Sequence, residues 1–169
     1  MDPIEKDIDN LLFARNLEHL TEHKDRYIDH YLEQYRIYLH IFNCTNDRSQ
    51  KSNNFFLGLN TAIIGILGYV EIKNISEVAF IFTVVPFIGL TICYSWYKII
   101  CAYQKLNRAK FSVIHKVEKK LPIALFETEW HFLGEGRDKK KYHPLSEIEK
   151  NIPMIFILFY IILLVVNLR

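Results

Sequence analysis

His19 and His23 stand four residues apart in the run HLTEH, with Glu22 between them. On a helix, two histidines at that spacing face the same way and could share one zinc ion, with the glutamate beside a bound water. The order H-x-x-E-H is that of inverted zinc peptidases. Five residues with two free positions specify little, however, and no third ligand stands nearby. The segment therefore reads as the polar face of a short amphipathic helix. Cys44, Cys93 and Cys101 form no paired framework, and two of them fall in or beside an apolar stretch, so they read as free thiols. No phosphate-binding loop, dinucleotide fingerprint or nucleophile elbow occurs. The expectation is a chain with no catalytic residues, no metal and no cofactor.

Other polar residues gain meaning from their spacing. Asn46, Asn53 and Asn60 repeat every seven residues, so they share one helix face. An amide at membrane depth is costly unless it finds a partner. The leading role for this polar seam is interhelical hydrogen bonding that fixes register; the alternative is stacked polar rings along a hydrated path in an oligomer. Gly58, Thr61, Ala62, Gly65 and Gly68 form a stripe of small side chains. It allows close helix approach, either to the next span of the same chain or to another subunit. The basic run Arg137, Lys139, Lys140 and Lys141 is by default a solvated loop, and functionally a contact for anionic lipid headgroups. Asn107, Lys110, Glu129 and Trp130 are expected to meet at a corner. There Glu129 would pair with Lys110 or Arg108, and Trp130 would pack on Val113 and Val117.

The elements that must position these groups follow from hydrophobicity. Half of the residues are hydrophobic and 24% are charged, and the two populations separate along the chain. Phe55 to Val70, Val78 to about Tyr97, and Ile152 to Leu168 are apolar runs close to the ~20 residues that a membrane-spanning helix requires. In lipid such segments must be helical, because only a helix satisfies its own backbone there. The opening MDPIEKDIDN has acids and no early apolar core, so the first span is expected to act as its own insertion signal. Lys and Arg number seven in residues 1–53 and twelve in residues 98–150, against Lys73 alone between the first two spans. The positive-inside rule then places the N-terminal arm and the 98–150 segment in the cytoplasm. A net charge of +2 gives no case for nucleic-acid binding.

The arms also read as helical. Ile28, Leu32, Tyr35, Leu39 and Phe42 recur at alternating steps of four and three, the seam of a coiled coil. Tyr35, Leu39 and Phe42 are accordingly expected at an interface, with Gly58, Ala62, Gly65 and Gly68 continuing it into the membrane. No Pro or Gly interrupts residues 25–54, so one helix can run from about Asp25 to Val70, roughly 69 Å. The second span continues as helix until Pro122 stops it. Residues 123–150 read as a loop with at most one short helix. The third span has no Gly, Ala, Ser or Thr, which suits a lipid-facing outer helix.

The expected fold is therefore an all-α membrane protein. Two long antiparallel helices extend from the bilayer into the cytoplasm, and a third membrane helix follows at the C-terminus. The units are an arm (1–53), a transmembrane hairpin (54–103), a cytoplasmic extension with a basic loop (104–151) and the last helix (152–169).

Three pieces, RSQKSNNFFLGLNTAIIGILG (48–68), SWYKIICAYQKLNRAKFSVIHKVEKKLP (95–122) and FETEW (126–130), together resemble the RipA family of small bacterial inner-membrane proteins. That resemblance spans roughly residues 30–130 and implies a homo-oligomer in the cytoplasmic membrane, of eight subunits. It supplies no active-site residues. The functional expectation is a non-enzymatic homo-oligomeric scaffold or regulator whose arms meet a cytoplasmic protein, in contact with membrane lipids. The alternative is a pore or channel subunit, such as a stress or defence effector, with the first span lining the path.

Overall fold

The computed structural model describes Leu12 and residues 24–72, 78–136 and 144–167. The HLTEH run, the hairpin loop 73–77 and the basic residues Arg137, Lys139, Lys140 and Lys141 lie outside the described residues.

Every regular element among the described residues is helical. Helix α1 is Lys24–Ile72, 49 residues without a break. At 1.5 Å per residue it is roughly 74 Å long, more than twice the ~30 Å of a hydrocarbon core. Much of it must therefore stand outside the bilayer. Helix α2, Val78–Glu118, returns antiparallel and carries Pro86 inside its membrane half. Such a proline is tolerated in a spanning helix where neighbouring helices shield the freed carbonyl, and Pro86 is buried. Helix α5, Asn151–Asn167, is the third membrane helix, with Pro153 in its first turn, where the missing N–H costs nothing. These three are long and apolar enough to cross a membrane.

The stretch expected to be a loop holds more structure than that. It contains α3 (Leu125–Phe132), a tight 3-10 turn at Gly134–Gly136 and α4 (Leu145–Glu149). Gly134, Glu135 and Gly136 all have positive φ. Two glycines flank the one L-residue that must adopt this conformation, so the turn can reverse the chain tightly.

The core is a line rather than a ball. Phe42, Leu67, Val70, Trp96, Ile100 and Ile114 are buried where α1 meets α2, and Tyr160 is buried where α5 joins them. The third helix is thus not simply an outer, lipid-facing element. It lacks small residues, but α2 supplies Gly89 opposite it: a Cβ built on Gly89 would overlap the Tyr160 ring.

Candidate functional site: polar rungs between the helices

Asn60 is fully buried at the membrane level of α1. Its Nδ2 donates to the carbonyl of Phe56 in its own helix, 2.8 Å away. Its Oδ1 accepts from Tyr160 Oη at 3.0 Å and from Cys93 Sγ at 3.2 Å. One side chain therefore joins all three spanning helices, and its amide is satisfied without water. Tyr160 reaches it only because Gly89 leaves room for the ring.

Two turns towards the arm, Asn53 Oδ1 accepts from the indole N–H of Trp96 at 3.0 Å. The Glu149 carboxyl of α4 stands near the Asn53 amide. Trp96 is buried, stacked on Phe56 with its ring centroid 5.9 Å away and touched by Phe156 of α5. This rung again ties three segments together, now where the third helix enters the membrane.

Asn46 forms the next rung, its Oδ1 accepting from Asn107 Nδ2 at 2.8 Å. Beside it Lys110 Nζ bonds Thr45 Oγ1 at 2.7 Å and the Ile41 carbonyl at 3.3 Å. Gln104 Nε2 and Asn107 Oδ1 are buried here without a hydrogen-bond partner among the described residues.

At the far end of the arms sits Glu118, 2% exposed. Its two oxygens accept the N–H groups of Phe126 (3.1 Å) and Glu127 (3.0 Å) in the first turn of α3. A carboxylate at a helix N-terminus satisfies orphan donors and complements the helix dipole. Tyr35 Oη donates to the same carboxylate at 3.2 Å, and Tyr31 Oη donates to the Val117 carbonyl at 2.8 Å. Burial, and then the negative charge of Glu118, push the Tyr35 phenol up to about 12. It therefore stays a proton donor at any physiological pH.

The residues expected from sequence are distributed as follows. Asn46, Asn53 and Asn60 share one face, and each amide has a hydrogen-bond partner inside its own chain. Tyr35, Leu39 and Phe42 lie on the face of α1 that meets α2; Phe42 stacks edge-on against Phe111 at 5.0 Å. Phe42 is buried within the chain, whereas Leu32 and Tyr35 line an open groove. Gly58, Ala62, Gly65 and Gly68 are exposed, and a Cβ at any of the three glycines would meet nothing within 4 Å. The small stripe therefore faces away from α2.

The corner also differs from expectation. Lys110 and Asn107 are held by α1, Glu129 is exposed, and Trp130 packs against the Gly136 turn. The carboxylate that organises this corner is Glu118, because it lies on the buried side of α2 while Glu129 projects from α3 into solvent. Tyr160, Cys93, Trp96, Gly89 and Glu149 likewise did not stand out in the sequence. The available signal was the seam of amides itself, which demanded hydrogen-bonding partners.

A sequence model described as the octameric membrane protein family matches residues 32–169, nearly all of the described structure. No curated protein and no solved structure matches the chain.

Proposed function

The chain belongs to the octameric membrane protein family, and from that premise we propose a non-enzymatic, homo-oligomeric scaffold or regulator of the bacterial inner membrane. Its N-terminal arm is cytoplasmic, its two-helix arms present a surface to a cytoplasmic protein, and its 137–141 basic run rests on anionic headgroups.

The observation that carries this reading is the inward direction of the polar groups. The seam amides are engaged within the protomer. The outward hydroxyls of Thr61, Thr91 and Ser95 bond back to Leu57, Phe87 and Thr91 carbonyls of their own helices. Such spans offer largely apolar outer faces to lipid or to a neighbour, which supports an anchor. The orientation rests on the concentration of Lys and Arg on one side of the spans.

A pore is the competing reading, favoured by the exposed stripe Gly58, Ala62, Gly65 and Gly68, whose small side chains would leave space around an oligomer axis. Ion flux into liposomes carrying the purified oligomer separates the two. A scaffold gives the flux of empty liposomes. Flux above that level, altered by Ala62→Leu, would establish the pore and sink the scaffold.

A further inference from the structure

Apolar side chains in the membrane halves of the helices have lipid as a default neighbour, but those on the arms do not. On α1, Ile37 and Ile41 are one turn apart and 51% and 47% exposed. On α2, Leu106 is 45% exposed, with Ala102 and Ala109 exposed on the same face. Lys110, one turn from Leu106, reaches across to the Ile41 carbonyl, so these residues border one flank of the arm pair. The corner carries a second apolar group: Ile123, Leu125 and Phe132 are 66%, 68% and 78% exposed. Beside it runs an open apolar groove of about 220 Å³ whose lining includes Leu32, Leu121 and Leu125. The corner lies on a different side from the flank. Phe126 of α3 packs on Phe111, which is five residues and so about 140° round α2 from Leu106.

We infer that the Ile37–Ile41 flank of one chain seats on the Ile123–Leu125–Phe132 corner of a second copy, head to tail. The inference rests on the homo-oligomeric reading and adds the surfaces that make the contact. Three arguments identify the occupant. Large apolar side chains grouped outside the bilayer mark a protein contact rather than a lipid one. The family's octameric character supplies identical chains as neighbours. A closed ring of identical chains needs two different complementary faces on each, and the arm bears two, on different sides.

The bilayer adds a geometric condition, because it holds every copy at the same depth. Residues that meet must then stand at similar heights along the arm. Ile37 is five residues from Leu32 in the corner groove, about 8 Å along the helix axis. Phe111, against which α3 packs, stands beside Phe42, one residue beyond Ile41. Flank and corner therefore share a level. Leu125 and Phe132, seven residues apart on α3, face one way and can clasp an isoleucine pair.

The test replaces Ile41 with the photo-crosslinking residue p-benzoylphenylalanine in the full-length detergent-purified particle. Subunits labelled with heavy and light isotopes are mixed, so that cross-links between copies are identified by mass spectrometry. Cross-links from position 41 to peptides covering 123–132 of another copy are expected. An octameric particle whose position 41 cross-links instead to 37–48 of another copy, or to no other copy, overturns the head-to-tail seating and leaves the homo-oligomer intact. A particle with the mass of one chain overturns both. In a second variant, Ile37→Glu with Ile41→Glu, the mass should fall well below that of the native particle at unchanged helicity. An undiminished octamer would also overturn the inference.

Discussion

Tyr160 and Asn60, 100 residues apart in sequence, share a hydrogen bond of 3.0 Å in the fully buried centre of the three-helix unit. The bond closes the third helix onto the first across the second, with Cys93 as a further donor. A polar contact between membrane helices contributes ~0.6–2 kcal/mol. Tyr160→Phe keeps the packing and loses one donor, so it should lower stability by about 1 kcal/mol. Gly89→Ala should cost more, about 1–3 kcal/mol, because the new methyl displaces the ring itself. Thermal unfolding of the two purified variants checks the order; a Gly89→Ala protein as stable as the native one would refute this account of the packing.

A second prediction separates two glutamates. Glu118→Ala leaves two backbone N–H groups and the Tyr35 hydroxyl without their acceptor, at a cost of about 1–3 kcal/mol. Glu129→Gln alters an exposed side chain and should change stability by less than ~0.5 kcal/mol. Trp130→Ala falls between them, since it uncovers the Gly136 turn but removes only a half-buried ring. Denaturation midpoints would be compared, and a Glu129 variant weaker than the Glu118 variant would contradict the assignment.

Alkaline pH should loosen the arm tip. The Tyr35 phenol is raised from 10 to about 12 in the folded chain, mainly by burial. The unfolded chain thus loses this proton first, and the stabilising difference, present in full below pH 10, fades between pH 10 and about 12. Hydrogen exchange at residues 118–132 should accelerate over that window. In Tyr35→Phe the window's contribution should be absent, leaving a flatter profile.

Orientation can be read directly by labelling. In a background freed of native cysteines, with Cys93 changed to Ser to keep its donor, Asn74→Cys should react with an impermeant reagent added outside the cell, while Lys140→Cys should not. The reverse pattern would invert the topology proposed from charge.

These contacts explain what could and could not be read from sequence. Hydrophobic length and the heptad of amides made the helices and their shared face legible, because both are local regularities. The partners were not, since a seven-residue repeat tells which way Asn46, Asn53 and Asn60 point without telling what stands opposite. Tyr160 lies in a run with no small residue, and the space it needs is encoded at Gly89, 71 positions earlier. Glu118 sits in VEKK and looks like one more solvated charge of an arm. Only the turn at Pro122, which brings α3 back under α2, gives that carboxylate its backbone donors.

The rungs also restrict how this architecture can change in size. Inserting one residue into α1 between Asn46 and Asn53 would rotate everything below by about 100° and carry Tyr35 and Phe42 off α2. Inserting seven would turn it by only about 20°, a misfit that slight supercoiling absorbs, provided α2 lengthens to match. The distance from the bilayer to the arm tip is therefore quantised. It can grow or shrink in matched heptads, steps of about 10 Å, so a change in arm length among related chains should arrive as paired insertions.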